Sequence, residues 1–176
     1  MAEFYPYLVA SLPMLQFRMK PPFSYGRFLE QCSQFISEKD LRVLQALPQP
    51  DQYGDLAIRH RTIQKWIGFD TALRNELVKI RAAKKHVAPA SYLRPGDSCC
   101  PVSAPAGLAA TLPASVLDAE KALDETRWRA LDELATGHYF DLAVLITYAY
   151  KLLILERWEN ISRADGMSLL DQALQQ

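Results

Sequence analysis

Residues 140–159, FDLAVLITYAYKLLILERWE, form a strongly apolar stretch that must be buried somewhere. Between Asp141 and Glu156 its only charged residue is Lys151. A helix that crosses a bilayer needs about 20 mainly apolar residues. Here the uncharged run 142–150 is nine residues long, and it reaches fourteen only when it is extended past Lys151 to residue 155. The stretch therefore predicts a buried helix rather than a membrane span.

The same helix has apolar residues on more than one face. One predicted stripe consists of Leu142, Leu145, Ile146, Ala149, Leu152 and Leu153, and a second consists of Val144, Tyr148 and Leu155. A third is extended by Ile154 and Trp158 past Thr147 and Lys151. A surface helix needs only one apolar stripe to face a core. Two interpretations remain open: the helix is central to a helical bundle, or another protein covers its outer side. The second interpretation makes Tyr148, Lys151 and Trp158 candidate interface residues.

Helical patterns also dominate the rest of the chain. The segment YPYLVASLPML (5–15) favours a helical turn, Ser24 is placed to cap a helix, and Ser37 is placed to cap another that Pro48 ends. These two short helices predict a helical hairpin. Residues 56–86 predict one long amphipathic helix, or two joined near Gly68 with Asp70 capping the second.

The C-terminal half continues the pattern after a break. Residues 87–114 are rich in proline and small residues and predict a long linker or loop. Ser115 is placed to cap a helix that ends near residue 135, and Gly137 suits the turn that follows. The helix from Asp141 is expected to end near Asn160, to pair with 115–135, and to precede a separate amphipathic segment, 163–176.

No β-hairpin signal or βαβ alternation is visible in the sequence. We therefore expect an all-α fold, a multi-helix bundle with helical hairpins and a long Pro-rich loop. At 176 residues, we expect one helical domain, 1–176, with 87–114 as a linker or loop within it.

Charge is distributed unevenly although the total is zero. Residues 56–94 carry nine Lys/Arg against two acidic residues, and residues 115–176 carry six against eleven. The basic stripe makes Arg74 and Arg81 candidate interface residues. An alternative function follows: a helical adaptor that binds nucleic acid or an acidic partner, with Trp66, Phe69 and Tyr92 as stacking groups. Because the net charge of the whole chain is zero, nucleic acid is less favoured as a partner than an acidic protein.

Catalytic and cofactor motifs are not apparent. His60, His86 and His138 have no metal-ligand spacing, and Cys99–Cys100 lacks the CxxC spacing of a metal site. No glycine-rich phosphate loop or GxSxG elbow occurs. We expect no catalytic residues, no metal, no cofactor and no small-molecule substrate. Three cysteines and the lack of an export signal indicate a cytoplasmic protein.

Three stretches resemble a bacterial family of unknown function encoded in V-type ATP synthase operons. That family is itself similar to the C-type subunit of V-type ATPases, which is called d in eukaryotes. The stretches are YPYLVASLPML, FDTALRNELVKIRAAK and GHYFDLAVLITYAYKLLILERW, and the matching segments are Tyr7–Leu12, Leu73–Arg81 and Tyr139–Trp158. Typical C-type chains are longer and contain internal repeats that this chain does not clearly show. It therefore resembles a reduced or partial version.

The resemblance implies a non-catalytic role. The C-type protein is an all-helical socket that sits on the membrane rotor ring and receives the central shaft. By this resemblance, the chain would be a structural coupling subunit whose partners are the central stalk and the rotor ring. It would lie in the cytoplasm, peripheral to the inner membrane. No catalytic residue is carried over, because the family has none.

Overall fold

Helices account for all the regular structure in the computed structural model, which describes residues 3–48, 53, 60–95 and 115–174, with side chains as far as residue 164. The predicted all-α class is thereby confirmed. The helices are α1 (Pro6–Ser11), α2 (Tyr25–Ser33), α3 (Glu38–Gln45), α4 (Arg61–Lys85), a 3-10 turn (Pro89–Tyr92), α5 (Val116–Ala135) and α6 (Leu142–Leu174).

These helices divide between two compact units. The first contains α1, α2, α3 and α6, and the second contains α4, the 3-10 turn and α5. The helices that the sequence pairs, 115–135 and 141–159, therefore fall in different units. Compactness within each unit does not decide the number of domains, so the single domain stays a prediction.

The first unit is built around α6. Helices α2 and α3 pack against α6 and against each other, as expected for a helical hairpin on a central helix. The first predicted stripe is largely buried: Leu145, Ile146, Ala149 and Leu152 are fully inaccessible to solvent. Burial of each such aliphatic side chain is worth about 1.5–3 kcal/mol, apart from alanine, which contributes less. Packing on α6 is therefore the main source of stability in this unit.

Polar contacts fix how α2 meets its neighbours. Ser24 Oγ accepts the backbone N–H of Arg27 at 3.2 Å, which confirms the predicted cap. Glu156 Oε1 of α6 accepts the N–H of Tyr25, the first residue of α2, at 2.8 Å. A carboxylate at a helix N-terminus also opposes the positive end of the helix dipole. At the other side, the Tyr25 hydroxyl donates to the carbonyl of Leu44 in α3.

The N-terminal segment is anchored on both sides of α1. The backbone N–H of Tyr5 donates to the carbonyl of Phe140 at 2.6 Å. Leu8 is buried, and the Tyr148 hydroxyl donates to the carbonyl of Pro13 at 3.1 Å. These long-range bonds hold a helix of only six residues, which would be unstable alone.

In the second unit, α4 runs without interruption through Gly68. The structure thus selects the single long helix among the two alternatives, although the predicted start at residues 56–59 lies outside the described residues. His60 caps the helix, and His86 ends it in the left-handed conformation with φ of 54°. Helix α5 packs against α4.

The predicted linker is described only in part. Residues 89–92 form the 3-10 turn, which packs on α4, and residues 96–114 lie outside the described part of the chain. The side-chain amide of Asn75 forms two hydrogen bonds with the backbone of Arg94. It accepts the N–H at 2.9 Å and donates to the carbonyl at 3.0 Å. These two hydrogen bonds hold the backbone of Arg94, in the first part of the segment, against α4.

The predicted end of the apolar helix near Asn160 is wrong. Helix α6 continues to Leu174, through the segment that the sequence places in a separate helix. No proline interrupts 160–174, and a glycine such as Gly166 costs a helix only about 1 kcal/mol. The ion pair between Arg163 Nε and Glu159 Oε1, at 2.9 Å, bridges the predicted end.

The left-handed backbone conformation of the turn after α5 leads to a stability prediction. Gly137 has φ of +82°, a conformation that costs other residues about 1–2 kcal/mol, whereas Gly26 lies inside α2 with room for a methyl group. We expect Gly137→Ala to lower the free energy of unfolding by about 1 kcal/mol, and Gly26→Ala to raise it by about 0.5 kcal/mol. Urea unfolding monitored by circular dichroism measures both. Equal effects of the two substitutions would contradict this account of the turn.

Candidate functional site

The five predicted interface residues fall into two groups. Tyr148, Lys151 and Trp158 lie on α6 of the first unit, whereas Arg74 and Arg81 lie on α4 of the second. Within each unit the structure shows what these side chains contact. Their role in binding another protein stays a prediction.

Tyr148 takes part in the packing of its own unit. Its ring stacks on Phe28 of α2 with a centroid distance of 5.4 Å, and its hydroxyl bonds to Pro13. Burial raises the pKa of Tyr148 above its ordinary value. The hydrogen-bond partner of this hydroxyl is thus a backbone carbonyl of the same chain.

Lys151 and Trp158 lie seven residues apart, so they share a face of α6. Both are half-buried. The guanidinium of Arg157 lies 5.8 Å from the centre of the Trp158 ring, within the range of a cation–π contact. This face thus combines an aromatic ring with positive charge.

A groove of about 520 Å³ runs along α6. Its lining residues are Leu153, Glu156, Arg157, Asn160, Ile161 and Ala164. The only carboxylate among them, Glu156, already accepts the Tyr25 N–H. Among the described residues that line the groove, Glu156 has no second carboxylate or histidine beside it to form a catalytic acid–base pair.

Exposed aromatic residues gather where the N-terminus meets the segment before α6. Tyr7 is 84% exposed, Tyr139 73%, Phe4 69% and Phe140 43%. The Tyr5–Phe140 backbone bond joins the two short segments that carry them. We call these four residues the aromatic surface. Sequence reasoning missed it because the two segments, at residues 4–7 and 139–140, lie far apart in sequence.

Carboxylates accompany the aromatic surface. The Tyr5 hydroxyl lies 2.7 Å from Glu3 Oε2 and 2.7 Å from Asp40 Oδ2, and it donates its one proton to either carboxylate. Asp141 accepts the Val144 N–H at 3.3 Å and contacts His138 Nδ1. Negative side chains therefore lie on both segments that carry the aromatic residues.

A buried ion network joins the two long helices of the second unit. Asp70 of α4 and Asp124 of α5 each expose only 1% of their surface. Arg127 of α5 donates through Nε to Asp70 Oδ1 at 2.9 Å and through Nη1 to Asp124 Oδ1 at 2.7 Å. Arg74 Nε donates to Asp70 Oδ2 at 2.7 Å, and the Tyr53 hydroxyl donates to the same oxygen at 3.1 Å.

Electrostatics keep Asp70 and Arg127 ionised. Burial opposes the charge on Asp70, but the guanidinium of Arg127 and the hydrogen bonds from Arg127 and Arg74 outweigh it, so the pKa of Asp70 is lowered. For Arg127, burial likewise opposes the charge and the two carboxylates outweigh it, so its pKa is raised. A carboxylate held in this state is a poor general acid or base near neutral pH. The network acts as a clamp between α4 and α5.

The sequence interpretation of this region needs two corrections. Asp70 does not cap a second helix; it lies inside α4 and binds arginines. Trp66 and Phe69 are buried, so they cannot stack on nucleic-acid bases, whereas Tyr92 is exposed. A sequence signal for the network did exist, in the acid–arginine spacings Asp70–Arg74 and Asp124–Arg127 within apolar helical patterns.

Two further site types can be checked in the described part of the chain. There, no group of three or more His, Cys, Asp or Glu side chains is arranged to hold a metal ion. Likewise, no helix among the residues searched has the length and hydropathy to cross a membrane.

The ion network leads to a stability prediction. We expect Asp70→Asn to lower the free energy of unfolding by about 3–5 kcal/mol, because it leaves Arg127 buried with only one carboxylate. The control is Glu76→Gln, which removes an exposed pair with Lys79 and should cost less than about 1 kcal/mol. Urea unfolding at pH 7 compares them. Similar losses for both variants would show that the network does not clamp the helices.

The same residue predicts a pH dependence. Because its folded-state pKa is lowered, Asp70 contributes stability that is present above the unfolded carboxyl pKa of about 3.9 and is lost as pH falls through the folded value. We expect the stability difference between the wild type and Asp70→Asn to be constant from pH 7 to pH 5 and to shrink below pH 4. Unfolding curves at pH 7, 5 and 3 measure it. A difference that persists unchanged at pH 3 contradicts the assignment.

Comparisons with known proteins add one finding. No curated protein matches the chain, and no solved structure matches it. A family model described as "Protein of unknown function (DUF2764)" matches residues 110–175, the part of the chain that includes α5 and α6.

Proposed function

We propose that this protein is a non-catalytic subunit of a V-type ATPase/ATP synthase, similar to the C-type socket protein of these enzymes, and that it couples the central rotor shaft to the membrane ion-translocating ring. The observation that carries the proposal is the resemblance of three segments, Tyr7–Leu12, Leu73–Arg81 and Tyr139–Trp158. The matched family of residues 110–175 has no described function, so the proposal rests on these segments and their surroundings.

The positions of the resembling segments support the proposal. Tyr7–Leu12 and Tyr139–Trp158 come together in the first unit through the Tyr5–Phe140 and Tyr148–Pro13 hydrogen bonds. Leu73–Arg81 lies within α4 of the second unit. All three segments are mainly helical, as a match to a helical socket requires.

The construction of each unit suits a coupling role. A protein that transmits torque needs stiff elements and binding surfaces, and it needs no reactive groups of its own. In the first unit a long helix is buried against two shorter helices, and in the second an ion network clamps α4 to α5. Tyr7 and Tyr139, which begin two of the resembling segments, are exposed and therefore available for contact.

Purification from native membranes tests the proposal. We expect the affinity-tagged chain, expressed from its own locus and extracted in mild detergent, to bring down the ATPase head subunits and the rotor ring in fixed ratio. The matched control is an equally abundant tagged membrane-associated protein. In a deletion strain, we expect ATP-driven ion pumping to be lost while ATP hydrolysis by the head is retained. A preparation without ATPase subunits, together with normal pumping in the deletion strain, would refute the proposal.

A second candidate is an adaptor that binds an acidic protein through α4. Arg81, Lys84 and Lys85 are exposed at the C-terminal end of this helix. The burial of Trp66 and Phe69 favours an acidic protein over nucleic acid as the partner. Arg81→Glu is the informative substitution for this candidate, because Arg74 binds the buried Asp70 and its reversal would disturb the fold.

A further inference from the structure

The aromatic surface, made of Phe4, Tyr7, Tyr139 and Phe140, is an unusual concentration of exposed rings. Single exposed apolar side chains are common on soluble proteins and need no explanation. Four exposed aromatic residues on two adjoining segments form a patch of the kind that marks interaction sites. Aromatic side chains also supply much of the binding energy at protein interfaces.

The backbone beneath this surface is fixed. Tyr5 is buried, its N–H bonds to the Phe140 carbonyl, and its hydroxyl bonds to Glu3 or Asp40. Leu8, which follows Tyr7 directly, is buried as well. A surface held in place before binding loses little conformational entropy when a partner docks. The exposed rings are therefore presented on an anchored framework.

The charges near the surface indicate the chemistry of the partner. Glu3, Asp40 and Asp141 place three carboxylates on or beside the two segments. The groups that oppose this charge are Lys39 and the N-terminal amine, which act on Glu3, and His138, which contacts Asp141. The faces of Tyr and Phe rings attract ammonium and guanidinium groups, and nearby carboxylates add to that attraction. The combination fits apolar side chains interspersed with lysine or arginine.

We propose that the aromatic surface binds an amphipathic, Lys/Arg-containing helical segment of another protein. Apolar side chains of the segment would pack on the four rings while its basic side chains face the carboxylates. The proposal does not depend on the ATPase assignment, since it follows from exposure and charge alone. It applies to any partner that carries such a segment.

Two other occupants fit the charges less well. A two-fold dimer through this surface would place the same carboxylates of two copies against each other. A membrane with anionic headgroups would likewise be repelled by these carboxylates. Both occupants are distinguishable from a basic protein segment by experiment.

Peptide binding provides the test. The probes are two fluorescein-labelled 18-residue amphipathic helices, one of leucine and lysine and the other with glutamate in place of every lysine. We expect the Leu/Lys peptide to bind the full chain at least 10-fold more tightly than the Leu/Glu peptide, measured by fluorescence anisotropy. We expect Tyr7→Ser and Tyr139→Ser each to weaken Leu/Lys binding about 10-fold. The matched control, Tyr92→Ser, changes another exposed tyrosine, in the second unit, and should leave binding unchanged.

Three results would overturn the proposal. The first is Leu/Lys binding that is equal in the wild type and the two variants, or no binding of this peptide. The second is a dimer in analytical ultracentrifugation that Tyr139→Ser abolishes, which would assign the surface to a second copy. The third is co-sedimentation with phosphatidylglycerol vesicles that the same substitution abolishes. Circular dichroism of each variant verifies folding, and Tyr7→Ser alone suffices if Tyr139→Ser is destabilised, because Tyr7 is the more exposed ring.

Discussion

The first unit depends on burying a helix that is apolar on more than one face. A single neighbour cannot cover α6, so both α2 and α3 pack against it, and short helices of this kind have little stability alone. Their placement relies on polar contacts with α6 and its approach: Glu156 to the start of α2, Tyr148 to the segment after α1, and Phe140 to Tyr5. Hydrophobic burial supplies the energy, and these hydrogen bonds determine which short helix lies where.

The second unit joins its helices with an additional kind of contact. Besides apolar packing, α4 and α5 share a network in which Arg127 links two buried carboxylates. Such a network contributes less net stability than its short distances suggest, because each charge was removed from water. Its main effect is on how α4 and α5 are placed against each other. Arg127 of α5 reaches Asp70 of α4 at 2.9 Å, so this contact holds the two helices side by side at these two residues.

Features fixed by local chemistry were predictable from the sequence. Ser24 and Ser115 cap the helices they precede, and Gly137 occupies the left-handed turn after α5. These signals depend on a few neighbouring residues. The end of α6 was predicted wrongly, because 160–174 contains no proline and helix propagation tolerates its glycine. Local signals thus indicate helix starts better than helix ends.

Where a feature depends on residues far apart in the sequence, the partner residues could not be predicted. A buried tyrosine hydroxyl usually has a hydrogen-bond partner, but the partner of Tyr148, Pro13, lies 135 residues away in the sequence. Asp70 looks like a helix cap until Arg127, 57 residues away, is placed beside it. The aromatic surface was not predicted, since the packing of residue 5 on residue 140 creates it. The predicted interface residues on α6 and α4 are positioned by the structure but stay predictions as binding residues.

The unbroken length of α6 has a mechanical consequence. A helix of 33 residues extends for about 50 Å, and its hydrogen-bonded backbone resists bending. Glu156, near its midpoint, holds the first amide of α2. The residue that fixes the start of α2 therefore belongs to the same continuous helix that extends to Leu174. The most apolar helix of the chain thus also sets the position of α2, because any shift of α6 at Glu156 moves the group that holds the first amide of α2.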